Sequence, residues 1–164
     1  MSFNNLVDDG KQVKLSDISA SLSVYEGVAG QDFIGNSITF KVVEKEKYDK
    51  VFKESALVYA TMIQINGTIE GINSGTIPTE GDFAKANIGF AIKDIPEMKG
   101  RIERLQEQIK VLNPKDDFKG LEMKKAPRAA DGINHAQKQL TESTNLLPKI
   151  SENLAEVSKK VIKK

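Results

Sequence analysis

Apolar residues return at alternating steps of three and four along three long stretches of this chain. That spacing restricts the fold more than any other feature. The first series is Val51, Ser55, Val58, Met62, Ile65, Ile69 and Ile72. The second is Ala84, Ile88, Ala91, Ile95, Met98, Ile102, Leu105, Ile109 and Leu112. The third is Ala129, Ile133, Ala136, Leu140, Ser143, Leu147, Ile150, Leu154, Val157 and Val161. A mean step of about 3.5 residues puts each series on one stripe of an α-helix. Such stripes pack lengthwise against each other. The fold class that follows is mainly α: an elongated antiparallel three-helix bundle with short connections. Its predicted helices cover about 46–74, 79–112 and 124–163, and a helix of roughly 35 residues would be on the order of 50 Å long.

The punctuation of the sequence agrees with these boundaries. Asn73-Ser74-Gly75-Thr76-Ile77-Pro78 reads as a loop, with Thr79 as the expected cap of the second helix and Asp82 placed to complement its dipole. Pro114 disfavours helix at Asn113 and so ends the second helix. The stretch from there to Pro127 forms the second connection. Lys159, Lys160, Lys163 and Lys164 complement the negative end of the third helix. Asn66-Gly67 is a hairpin signal among β-branched neighbours, but the stripe runs through it unbroken, which favours helix.

Pro96 and Pro148 fall at matching places in the second and third stripes, after Ile95 and Leu147. An interior proline removes a backbone hydrogen bond and crowds the preceding turn, so both helices are predicted to kink there. Ile95, Pro96, Leu147 and Pro148 are therefore the candidate ligand or kink region, with shared bundle curvature as the plainer explanation. Residues 1–45 form a separate N-terminal segment ahead of the bundle at 46–164. In it Ser37–Val42 alternates like a strand that could pair with Ala20–Tyr25 as a short β-hairpin. An extended leader is the other reading.

Composition narrows the function. The formal net charge is +1 and charged residues make up 29%, so there is no general electrostatic pull toward nucleic acid or an anionic membrane. Cysteine is absent, which removes thiol nucleophiles and thiolate metal sites. No apolar run reaches the length of a membrane span. Met1–Asn5 lacks the basic start and apolar segment of a signal peptide, as expected of a cytoplasmic protein or of a processed chain.

Site chemistry is sparse. His135 is the only histidine, and its place beside the third stripe suits packing at the helix edge. No nucleophile elbow or phosphate-binding loop appears. Asn113, Asp116 and Asp117 gather oxygens but lack a calcium-loop pattern, and read as a capped turn. Gly67, Gly71 and Gly75 line one helical face and would permit close helix approach. Asn66-Gly67-Thr68 matches a glycosylation sequon inside a predicted helix. Lys119, Lys124, Lys125 and Arg128 form a basic run that could attract phosphate or an acidic partner. Glu122 and Asp131 lie among them, and only Phe118 supplies an aromatic, which argues against nucleic acid. No catalytic, cofactor-binding or metal-binding residue is assigned.

Tyr48-Asp49-Lys50-Val51-Phe52-Lys53-Glu54-Ser55-Ala56 resembles the first-helix opening of certain helical bacterial lipoproteins of unknown function. Asp116-Asp117-Phe118-Lys119-Gly120, followed by Lys125-Ala126-Pro127, is similar to their second connection. The resemblance runs from about Tyr48 onward and supplies no catalytic residues. It implies a place in the bacterial cell envelope and an N-terminal lipid anchor on a cysteine that this chain does not contain. The expected function is a non-enzymatic binding or scaffolding module with a protein or surface partner. The alternative is a carrier of a small apolar ligand held between the helices.

Overall fold

The computed structural model describes residues 26–162. They are mainly helical, with one small antiparallel sheet near the start. Strands β1 (Glu26–Gln31) and β2 (Ser37–Lys41) precede helix α1 (Glu46–Ser74) and helix α2 (Asp82–Lys110). A short helix α3 (Pro114–Asp117) and a 3-10 helix (Gly120–Lys125) then lead into helix α4 (Ala126–Ile162).

All three stripes face the core. Every stripe position of α1 is buried, as is the α2 series from Ala84 to Ile109. On α4 the series is buried except for Ile133 and Leu147, which are half-buried against the same cluster. Hydroxyls sit in this apolar interior because each finds an acceptor one turn back. Ser55 donates to the Val51 carbonyl at 2.8 Å, and Ser143 donates to the Gln139 carbonyl at 2.8 Å.

Three details differ from the sequence-based expectation. The helix after the first connection starts at Asp82, not Thr79, because Gly81 takes the extended N-cap position and its carbonyl accepts the first bond, from Lys85. Gly67, Gly71 and Gly75 do not bring helices together. Phe33 from the β1–β2 turn lies over Gly67, and Ile77 lies over Gly71. Gly75 caps α1 with φ of 84°, a backbone conformation that glycine adopts without strain. Finally, the connection before α4 is partly helical, with Pro114 opening α3 at a position where its missing N–H costs nothing.

β2 pairs with Glu26–Gln31; Ala20–Tyr25, the partner expected from the sequence, lies outside the described residues. The β1–β2 pairing has a local cause. Asp32 Oδ1 accepts the backbone N–H groups of Ile34 and Asn36 at 3.0 and 2.8 Å, closing a tight turn just after β1. Glycines 27 and 30 make β1 a weak strand by composition. Yet their missing side chains make room for the Phe40 ring and for Ala60. Ala29 bulges from the ladder between Val28 and Gly30, and it is buried in the core with Phe40 and Val43. The sheet thus packs on the helices, as a two-stranded sheet must.

Candidate functional site

β2 leaves the sheet through Val42 and Val43, and the chain must then turn sharply into α1. Glu44 makes that turn at φ of 60°. Asp49 holds it, accepting the Val43 N–H at 2.7 Å from inside the first turns of α1. Burial pushes the Asp49 carboxyl above its ordinary range, although the N–H groups of Val43, Glu44 and Lys45 act the other way.

Facing this turn is the start of α4. Phe118 is buried against Tyr48, with ring centroids 5.2 Å apart, and the Lys45 ammonium lies 5.1 Å from the Phe118 centroid. Tyr48 donates to Asp117 at 2.6 Å, and Lys47 pairs with the same carboxylate at 2.9 Å. The Tyr48 hydrogen bond and then Lys47 hold Asp117 below the usual carboxylate range. Burial, followed by Asp117, pushes Tyr48 well above the usual phenol range. A Lys45–Glu122 pair at 3.5 Å adds a tie to the 3-10 helix.

Between the two walls lies a cleft of about 770 Å³. Its charged lining is Lys41 and Glu44 on one side, and Lys124, Lys125, Arg128 and Asp131 on the other. Lys41 is neutralised by Glu26 at 2.7 Å and more loosely by Asp131 at 3.7 Å. Lys124 and Lys125 enter no ion pair among the described residues. The cleft therefore holds two ammonium groups without an ion-pair partner, beside a guanidinium and the carboxylates Glu44 and Asp131. Its cations outnumber its carboxylates four to two, an arrangement that suits an anionic group of a ligand.

A second, smaller cleft of about 250 Å³ lies where β2 meets the middle of α4. Gln139 Nε2 donates to the Thr39 carbonyl at 3.1 Å, and His135 Nε2 lies 3.2 Å from the same oxygen. The Nε2–H tautomer of His135 satisfies that contact. Nearby, burial and then a hydrogen bond with Glu142 push Tyr59 up to about 12. Gln139 and His135 thus tie the sheet to α4.

The basic run of the sequence is thus divided. Lys124, Lys125 and Arg128 line the large cleft, while Lys119 stands exposed outside it. Lys41 and Glu44 completed the site without any signal in the sequence, being far away along the chain. Of the kink-region residues, Ile95 is buried and Leu147 half-buried, whereas Pro96 and Pro148 are turned to solvent within continuous helices. Asn113 donates to Asp116 at 2.8 Å and Asp117 serves Tyr48, so this trio is committed to the turn. Among the described residues no group of three or more His, Asp or Glu could hold a metal, and no helix is long and apolar enough to cross a membrane.

These features define a mainly helical protein with a basic cleft at the junction of sheet and helix. Compared with protein-family models, curated proteins and solved structures, the chain matches none.

Proposed function

We propose that this protein is a non-enzymatic binding module whose basic cleft receives an anionic group of its partner. The observation that carries this reading is the pair Lys124 and Lys125, in no ion pair among the described residues and gathered with Arg128 opposite β2. The groups with displaced proton affinity support a binding role over a catalytic one. Tyr48 and Asp117 hold each other, and Asp49 holds the turn at Val43.

In this reading the helices form an elongated bundle. Phe52 meets Gly132, Glu70 pairs with Lys149 and Asn73 bonds Lys160, an order that supports α1 and α4 running the same way. Glu54 shares a crevice with Arg104 and Gln108, whereas Gln64 shares one with Asn87 and Phe90, which supports an opposed α2. A place in the bacterial cell envelope rests on the lipoprotein resemblance alone, and cell fractionation with intact-mass measurement tests it. A soluble, unacylated native product would discard it.

The cleft is tested by titrating isotopically labelled protein with inorganic phosphate. Amide shifts should concentrate at Val42–Lys45 and Lys124–Asp131, and they should be lost in Lys124→Glu/Lys125→Glu. Shifts scattered over the surface, or unchanged in that variant, would sink the proposal.

A further inference from the structure

Next to the cleft, two apolar side chains are exposed to water. Leu121 is 93% exposed and Met123 is 63% exposed, both on the 3-10 helix. Single exposed apolar residues are ordinary on protein surfaces, so exposure alone decides nothing. Their setting does. A 3-10 helix has three residues per turn, which aligns positions i and i+3 on one edge. Gly120 and Met123 share one edge, Leu121 and Lys124 a second, and Glu122 and Lys125 the third.

The third edge is fixed against the protein. Glu122 reaches Lys45 at 3.5 Å, and Lys125 is half-buried at the cleft. Leu121 and Met123, on the other two edges, stand exposed, while Lys124, on the same edge as Leu121, lines the cleft. Phe118, buried immediately before this helix, anchors its approach. Two apolar residues are therefore presented on a held scaffold instead of a loose tip. Between Lys119 and Asp131 stand four cations and two carboxylates, of which Glu122 pairs with Lys45 at 3.5 Å and Asp131 with Lys41 at 3.7 Å.

We infer that this 3-10 helix docks on an anionic lipid bilayer, with Leu121 and Met123 entering the acyl boundary and the cleft cations meeting headgroup phosphates. The inference rests on the anion-binding reading of the cleft and specifies its partner. Charge complementarity and the apolar pair together favour this partner. A small free anion has no use for Leu121 and Met123, and an interfacial surface uses both elements. An acidic protein is the competing partner.

The test is co-sedimentation of the full chain with two kinds of vesicle, phosphatidylcholine alone and phosphatidylcholine mixed with phosphatidylglycerol. Binding is expected only to the mixed vesicles and should weaken as salt is raised. Leu121→Ser/Met123→Ser should lower the partition coefficient by on the order of tenfold or more. Each cation removed should lower it by roughly fivefold. Ile34→Ser, at an exposed apolar residue in the β1–β2 turn, should leave it unchanged. Because the chain contains no tryptophan, Leu121→Trp supplies a single reporter. Its emission should shift to the blue on mixed vesicles, and that of Ile34→Trp should not.

Absence of binding to mixed vesicles would overturn the inference, as would binding that Leu121→Ser/Met123→Ser leaves intact. Phosphate-induced shifts at the cleft without vesicle binding would sink the lipid inference and spare the cleft. Loss of both would sink the two together. Capture of an acidic protein by the same helix, with vesicles ignored, would also overturn it.

Discussion

Asp49 combines two opposing physical demands in one side chain. Its carboxylate accepts the Val43 N–H at 2.7 Å, which is the bond that holds the β2–α1 turn. Its burial nevertheless disfavours the charge and raises its proton affinity. A folded-state pKa above the unfolded value contributes stability that is fully present below the unfolded pKa. That contribution is lost as pH rises through the folded pKa. Asp49→Asn keeps an acceptor and removes the charge. Its stability relative to the wild type should therefore improve as pH rises from about 3.8 through the raised value, read from urea unfolding at a series of pH values. Asp49→Ala has no acceptor and leaves a backbone donor unpaired, so it should lose about 1–3 kcal/mol at neutral pH. Equal behaviour of the two variants would show that the hydrogen bond is not what holds the turn. None of this was legible in the sequence, where Asp49 reads as one more acidic residue in a first helical turn.

The long helices were legible because burial on one face imposes a period, and the period survives without knowledge of the partner helix. What faces each stripe was not legible. Gly132 illustrates this. It carried no signal of its own, yet a Cβ there would overlap the Phe52 ring of α1. Phe52 is 1% exposed, and Tyr48 lies edge-on to it at 6.0 Å, so the ring has little space to retreat. Alanine at a helical glycine favours the helix by up to about 1 kcal/mol, while overpacking costs about 1–3 kcal/mol. The steric cost should win, and Gly132→Ala should lower stability. Adding Phe52→Leu should recover part of that loss, and a double-mutant cycle by chemical denaturation measures the coupling. Additive effects would mean that the two residues do not meet. Gly67 and Gly71 carry the same lesson in reverse. Their spacing suggested helix approach, but side chains from a turn and a connection fill the gaps. Spacing reveals that a face is small without revealing what lies on it.

At the scale of the molecule, the candidate site exists only because the sheet docks on the helices. One wall belongs to the end of β2 and the other to the start of α4, segments remote in sequence, and this is why no local pattern announced the cleft. Near-neutral overall charge concealed it further, because a net of +1 averages over a locally basic junction. The docking rests on Phe40, which is buried over Gly27, on buried Ala29 and Val43, and on the bonds from α4 to the Thr39 carbonyl. Phe40→Ala should cost about 3–5 kcal/mol without altering any charged residue of the cleft. A two-stranded sheet is marginal by itself, so the loss should fall first on β1 and β2. Hydrogen exchange should accelerate most at amides of Val28–Gln31 and Ser37–Lys41, and less at the buried centres of α1 and α4. Phosphate-induced shifts at Lys124 and Lys125 should weaken in the same variant, because the opposing wall is no longer held in place. Uniform acceleration across sheet and helices would instead make them one cooperative unit, in which the cleft could be lost only by unfolding the whole.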